Sequence, residues 1–355
     1  MPMVFVPAAA GVGGSPNITS TSGSLTHGGT LTINGSGFGS HADHGGSSPY
    51  LCRAWNDFSS TLEGGGWVQD GQDPENCNLS MSSPMGGAMG QFYRKTHVSA
   101  NQGSLQVVHG SNFTGRYYTC FHYRESSNSP VIGAGACTKF WRRYLGPNSE
   151  PGGYNWYLGP EYENATNFVT PPASLNRYSQ YPTAPYFPQN TWRFQEVIEC
   201  LGNATGDGTA IFGSPDFLAL RLNNVELIRR GTGLPSNPQP GQGTDANDNQ
   251  QWVGDPPEGQ EGGLTKLGSH LCETAGGYFM DYADAYLSYT FALAFIGNAS
   301  TYAACTAIHI QPPLVWTDTQ LQIQANRGEW ASLTGLGLYL YIRDENFNVS
   351  PGYPL

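Results

Sequence analysis

Charge is what this sequence lacks most. Asp, Glu, Lys and Arg make up 12% of its 355 residues, about half the usual share of roughly 25%. No basic run exceeds the pairs Arg142-Arg143 and Arg229-Arg230, and the formal net charge is −11. A phosphate backbone meets net repulsion from such a chain, which argues against nucleic acid as a partner. Long apolar runs are missing too. None approaches the ~20 residues that cross a bilayer as a helix, so no membrane span is expected. The opening "MPMVFVPAAAGVGG" is apolar but has no basic residue ahead of it. It lacks the charged start of a secretory signal, so the chain is expected to reach its working place without classical secretion.

Other absences narrow the chemistry. The seven cysteines form no C-x-x-C pair, which argues against a zinc ribbon or a dithiol redox motif. Their odd number leaves at least one thiol free, and Cys52 with Cys77 is one pairing to test. The nucleophile elbow G-x-S-x-G does not occur. The Gly-rich "AAGVGG" at residues 9–14 does not lie between a strand and a helix, so it is no phosphate cradle.

What the chain has in abundance is turn formers and rings: 47 Gly, 25 Pro and 20 Tyr. With so little charge, this composition favours short strands joined by loops, and the expected class is all-β. From Ser15, "SPNITSTSGSLTHGGTLTINGSGFG" reads as a strand, a Gly-Gly turn and a second strand with Leu31 and Ile33 on one face. At the far end Trp316, Leu321, Ile323 and Ala325 alternate onto one face, and Leu338, Leu340 and Ile342 onto another, before a turn at residues 344–348. The G-G turn and "TI-GSGFG" of the first segment, with "W-TDTQLQIQ-N-G" and "YLYIRDENFNVSPGYP" of the last, resemble the two halves of an IPT/TIG immunoglobulin-like domain. The resemblance implies one β-sandwich from residues 14–45 and 290–355, split by an insertion. It also implies a spacer or docking role.

The insert, residues 46–289, holds further strand-like segments separated by Gly-, Pro- and Asn-rich turns. "WNDF" at residues 55–58 and "RLNNVELIRR" at 221–230 resemble pieces of the concanavalin-like jelly rolls of lectins, laminin-G modules and polysaccharide lyases. The expected fold class is therefore an IPT/TIG-like sandwich with an inserted jelly roll. A coil of unusual length, residues 231–263, and an apolar arm, residues 1–13, are candidate contact segments toward neighbouring proteins.

Carboxylate catalysis has little support. The E-x-D-x-x-E strand of jelly-roll glycosidases is absent, and Glu196 and Glu199, three apart, fall on opposite strand faces. A lyase would need a His or Tyr base beside Arg, for which His122, Tyr144, Arg142 and Arg193 are the candidates. His41, Asp43 and His44 have ligand chemistry but sit in a Gly-rich segment that reads better as a solvated loop. By resemblance to related jelly rolls, Asp57 with Asp281 and Asp284 is a candidate calcium site. No other cofactor is expected.

Aromatic residues give the strongest signal. Trp141, Tyr144, Trp156 and Tyr157 lie close together in sequence, with Arg142 among them. Exposed rings stack on sugar faces and anchor protein interfaces, whereas core rings do neither. Trp156 and Tyr157 are adjacent, so on a strand they face opposite sides. The expectation is a non-enzymatic virion surface protein, a bacteriophage capsid decoration or tail or fibre component. It would be oligomeric, contact other coat proteins through residues 1–13 and 231–263, and be able to bind cell-surface glycan. A bacterial extracellular adhesin and a polysaccharide lyase are the alternatives.

Overall fold

The computed structural model describes residues 14–41, 49–58, 63–69, 77–80, 92–96, 104–109, 116–125, 139–144, 155–161, 165–170, 177–179, 191–200, 217–222, 225–231, 263–269 and 279–355. The arm 1–13, the interior of the coil 231–263, and Asp43 and His44 lie outside them. The described strands, in chain order, are β1 (Asn17–Gly23), β2 (Thr30–Ser36), β3 (Ala54–Asn56), β4 (Val68–Gln69), β5 (Cys77–Ser80), β6 (Phe92–Thr96), β7 (Leu105–His109) and β8 (Arg116–Glu125). Then come β9 (Lys139–Tyr144), β10 (Asn155–Glu161), β11 (Ala165–Thr170), β12 (Arg177–Ser179), β13 (Arg193–Cys200), β14 (Phe217–Leu222), β15 (Val225–Gly231) and β16 (Gly263–Ser269). The last are β17 (Phe279–Ser288), β18 (Leu293–Gly297), β19 (Ile308–Gln311), β20 (Pro313–Trp316), β21 (Gln320–Gln324), β22 (Tyr339–Arg343) and β23 (Tyr353–Pro354). Among the described residues the only helical element is one 3-10 turn, Tyr302–Ala304. The protein is all-β, and its strands pair antiparallel.

Two small sheets hold the chain's ends. One runs β1-β2-β21-β20 and the other β19-β18-β22-β23. In the first, Leu31 pairs with Ile323 and Ile33 with Leu321. All four side chains are buried with Trp316, Ala325, Leu338, Leu340 and Ile342 in one apolar cluster, as the two-residue alternation predicts. The Trp316 indole N–H donates to the Phe38 carbonyl at 3.2 Å, which satisfies its polar edge inside the core.

The two larger sheets belong to the middle of the chain. An eight-stranded sheet runs β15-β14-β13-β8-β17-β6-β5 with β3 also on β17. A seven-stranded sheet runs β12-β11-β10-β9-β16-β7-β4. The Trp67 indole N–H reaches the Ala285 carbonyl on β17 at 3.1 Å. Cys52 and Cys120 are buried thiols outside any disulfide, so the Cys52–Cys77 pairing does not form. Cys52 instead fills apolar volume beside Trp55 and Tyr286.

The sheet β19-β18-β22-β23 is the middle layer. Its β18 is buried throughout. Ala294 and Ile296 face the terminal core, whereas Leu293 and Phe295 join Tyr118, Cys120, Ile198 and Tyr286 of the eight-stranded sheet in a second core. An ion pair crosses that second seam. Arg343, at the end of β22, donates from Nη1 to Glu196 Oε1 on β13 at 2.7 Å and from Nε to the Phe291 carbonyl at 2.9 Å. The Tyr118 hydroxyl donates to the same carboxylate oxygen at 2.6 Å. The guanidinium carbon also lies 4.7 Å from the Tyr118 ring centroid and 5.1 Å from that of Phe295. Burial works against the Arg343 charge, but Tyr118 and Glu196 outweigh it and hold the group firmly protonated.

Removing one member of a buried ion pair strands the other without its partner. Arg343→Met is therefore expected to lower unfolding free energy by about 3–5 kcal/mol in chemical denaturation. Adding Glu196→Gln should restore part of that loss, since the uncompensated charge is then gone. Equal losses in the single and double variants would contradict this account of the seam.

Candidate functional site

Two places in the fold bring chemistry-bearing residues together. The first is a face of the seven-stranded sheet. The register of β10, β9, β16, β7 and β4 aligns Tyr157 with Arg142, Arg142 with Lys266, Lys266 with Gln106, and Gln106 with Val68. Those five positions form one row across neighbouring strands. The next row on the same face aligns Asn155, Tyr144, Leu264 and Val108. Val108 and Val68 are exposed, at 52% and 42%, and Lys266 and Gln106 are partly so. This is the sheet's open side.

The alternate positions go the other way. Trp141 pairs with Leu267 and Leu267 with Leu105, and all three are fully buried. Trp156 shares a register row with Arg143, Thr265 and Val107, of which Thr265 and Val107 are buried. The expected binding residues are thus divided by the pleat. By backbone register Arg142, Tyr144 and Tyr157 share rows with Lys266, Gln106 and Val108, and Trp156 shares one with Thr265 and Val107; the side chain of Trp141 is buried. Trp141 is a core residue and not an exposed stacking platform, because its neighbours across the ladder are the aliphatic core.

The acidic residues expected to clamp calcium do not converge on one point. Asp57 pairs with His27 Nε2 at 3.3 Å. Asp281, fully buried, takes Arg94 Nε at 2.6 Å and the Arg124 guanidinium, so two cations already occupy its carboxylate. Asp284 meets nitrogen donors instead. Each of the three answers a different partner, and an oxygen-rich calcium shell is not assembled from them. Glu196 is committed to Arg343 and Tyr118.

Asp284 defines the second place. It sits in β17 where the register with β8 shifts between Ala283 and Tyr286. Its φ is +54°, in the left-handed region that non-glycine residues seldom adopt. The bulge swings its carboxylate onto the middle layer. His309 on β19 has Nδ1 2.7 Å from Asp284 Oδ2, and His122 on β8 has Nδ1 3.3 Å from the same oxygen. The two imidazoles stack with centroids 4.3 Å apart. Asn326 donates to Asp284 Oδ1 at 3.1 Å, and Gln311 and Asn326 brace each other through backbone and amide bonds. The Glu329 amide N–H donates to His309 Nε2 at 3.3 Å. That acceptor role puts the ring proton on Nδ1, toward Asp284. Gly328, with φ +56°, lies so close that a Cβ there would fall 2.1 Å from the His309 ring. All three members of the cluster are buried, and their donor atoms lie within 4.8 Å of one another, a grouping that could hold a metal ion.

Burial pushes the Asp284 carboxyl up, but the two imidazoles outweigh it and hold it well below the usual carboxylate range. For His309, burial and the neighbouring His122 push the value down, and Asp284 only partly offsets them. His122, the base candidate for a lyase, is 5% exposed and packed on Phe194 and His309. It lies inside the seam, away from any polymer. Of this cluster the sequence flagged His122 and Asp284 separately. His309 and Asn326 carried no local signal, because their partners are 25 and 42 residues distant.

No family model matches the chain, and no curated protein does. Among solved structures, the alginate lyase vAL-1 from Chlorella virus is similar with a TM-score of 0.45 and 8% identity, over 64% of this chain and 94% of that one. The carbohydrate recognition domain of Emp47p gives 0.40 and 10%, over 68% and 96%. A botulinum neurotoxin type C structure, described as dependent on two ganglioside molecules for cell entry, gives 0.37 and 12%, over 63% of this chain. This chain spans less than half of that last one, 42%.

The two shifts at the seam act in the same direction. Below about 6.5, the ordinary histidine value, an unfolded His309 ring takes up a proton that the folded ring resists. Below about 4 the unfolded Asp284 carboxyl does the same. With more protons bound in the unfolded state, stability falls as pH falls. With chelator present, the urea midpoint is expected to drop from about pH 7 to about pH 5, and His309→Gln should flatten that slope. An equal slope in the variant would remove His309 from the account.

Proposed function

We propose that this is a non-enzymatic surface protein that binds an anionic glycan on the open face of its seven-stranded sheet. The observation that carries the reading is the cross-strand row Tyr157, Arg142, Lys266, Gln106 and Val68. Strands stand about 4.8 Å apart, so the row extends for roughly 19 Å, the length of a short oligosaccharide. It offers the residue types such a ligand uses: an aromatic ring for a sugar face, two cations for a uronate or sialate, and an amide for hydroxyls. In a chain of net charge −11, two cations in register make a local basic stripe that a neutral binder does not need.

The same reading takes residues 14–45 and 290–355 as an IPT/TIG-like host and residues 46–289 as a jelly-roll guest, so that the host docks and the guest recognises. The setting proposed for it is a virion surface, as a capsid decoration or tail or fibre component in contact with other coat proteins. A cell-surface adhesin would use the same face. Of the two base candidates for lyase chemistry, His122 is enclosed, so a lyase on this fold would have to rest on Tyr144.

Sialylated and uronate-containing oligosaccharides are expected to bind the full chain, and neutral ones to bind less. Lys266→Glu should weaken the acidic ligands by roughly 10- to 100-fold, as a lost charge-assisted contact of about 1.5–3 kcal/mol implies, with the melting temperature unchanged. Calorimetry on both proteins decides the matter: no binding, or binding indifferent to Lys266, would sink the glycan reading. For the virion setting, purified particles should contain this chain in fixed, symmetric copy number.

A further inference from the structure

We propose that His122, Asp284 and His309 form a binding site for a divalent transition cation of the zinc class. The donor set is the first reason. Two imidazoles and one carboxylate suit zinc, copper, nickel or iron(II), whereas calcium and magnesium take oxygen. The second is convergence: the three donor atoms lie within 4.8 Å of one another on β8, β17 and β19. A tetrahedral ion with bonds of about 2.1 Å spaces its ligands about 3.4 Å apart. His122 Nδ1 and Asp284 Oδ2 already stand at 3.3 Å, and His309 Nδ1 must retreat from 2.7 Å by on the order of half an ångström.

The third reason is His122 itself. Its Nδ1 is buried 3.3 Å from Asp284 Oδ2, a contact whose geometry falls short of a full hydrogen bond. A buried ring nitrogen in that state is costly, and an ion beside it would remove the cost. The strained backbone of Asp284 fits the same picture, since such residues gather where a side chain is aimed for a purpose. Asn326 on Asp284 Oδ1 serves as an outer partner that orients the carboxylate.

Coordination changes the proton inventory at His309. The Nδ1 proton goes to solvent while Nε2 takes one up, a tautomer exchange with no net release, and the lone pair uncovered on Nδ1 goes to the ion. The neutral ring then carries its proton on Nε2, which now faces the Glu329 amide, a donor, at 3.3 Å. Two donors cannot share that position, so the turn from Asn326 to Trp330 has to move. The Glu329 carboxylate, which already acts electrostatically on His309, is the acceptor nearest in sequence. Trp330 packs edge-on against His309 with centroids 4.8 Å apart, so its fluorescence reports the shift.

The test uses the full chain, stripped with chelator and titrated with Zn²⁺ and Co²⁺. One equivalent should bind per chain, Co²⁺ should develop the visible absorption of a low-coordinate nitrogen and oxygen site, and tryptophan emission should change in step. At a hundredfold excess of Zn²⁺ over Kd, the melting temperature should rise by about 4 °C. His122→Gln should lose at least tenfold in affinity. Trp330→Phe should keep the stoichiometry and lose the emission change, which holds the test open even if His122→Gln fails to fold. Absence of stoichiometric binding overturns the site. So does binding that His122→Gln leaves intact, or an emission change that survives Trp330→Phe.

Discussion

The buried pair of Arg343 and Glu196 constrains everything around it. A guanidinium and a carboxylate sealed between sheets cannot slide along each other as apolar side chains can. The Arg343 side chain also bonds the Phe291 carbonyl and lies under three rings. It therefore fixes the angle and register at which the middle layer meets the eight-stranded sheet. Buried pairs of this kind add little net stability against an apolar alternative, because both charges are desolvated. What they impose is geometry: any other docking leaves a charge without a partner.

The same seam carries a second carboxylate under opposite terms. Glu196 faces a permanent cation, whereas Asp284 faces two imidazoles, of which His309 is held from taking a proton by burial. One contact joins two opposite charges, and the other joins a carboxylate to two nitrogen donors. Both are reached from β22 and β19, strands of one layer.

How much of this was legible in the sequence depends on the range of the interaction. Two-residue alternation is a local signal, and Leu31, Ile33, Leu321, Ile323, Leu338, Leu340 and Ile342 all proved to be core. The turn at residues 344–348 was legible for the same reason: Asp344 accepts the amides of Asn346 and Asn348, a bond set written in adjacent residues. The crowd of rings around residue 141 was visible too, but which ring faces solvent depends on register. A shift of one residue exchanges the faces. The seam residues were not legible at all as partners. Glu196 and Arg343 are 147 residues apart, and nothing near either names the other. The calcium reading of Asp281 failed on a similar ground, since Arg94 and Arg124 reach it from distant strands.

The pairing of β2 with β21 has a bearing on how the chain is made. Asn34 and Gln320 are hydrogen-bonded across 286 residues. A ribosome adding roughly 5–20 residues per second needs about a quarter of a minute to a minute to deliver the second strand after the first. Through that interval the opening hairpin waits with an apolar face and an open edge, a state that invites wrong partners. The order of synthesis thus sets a delay between the first hairpin and the strand that completes its sheet.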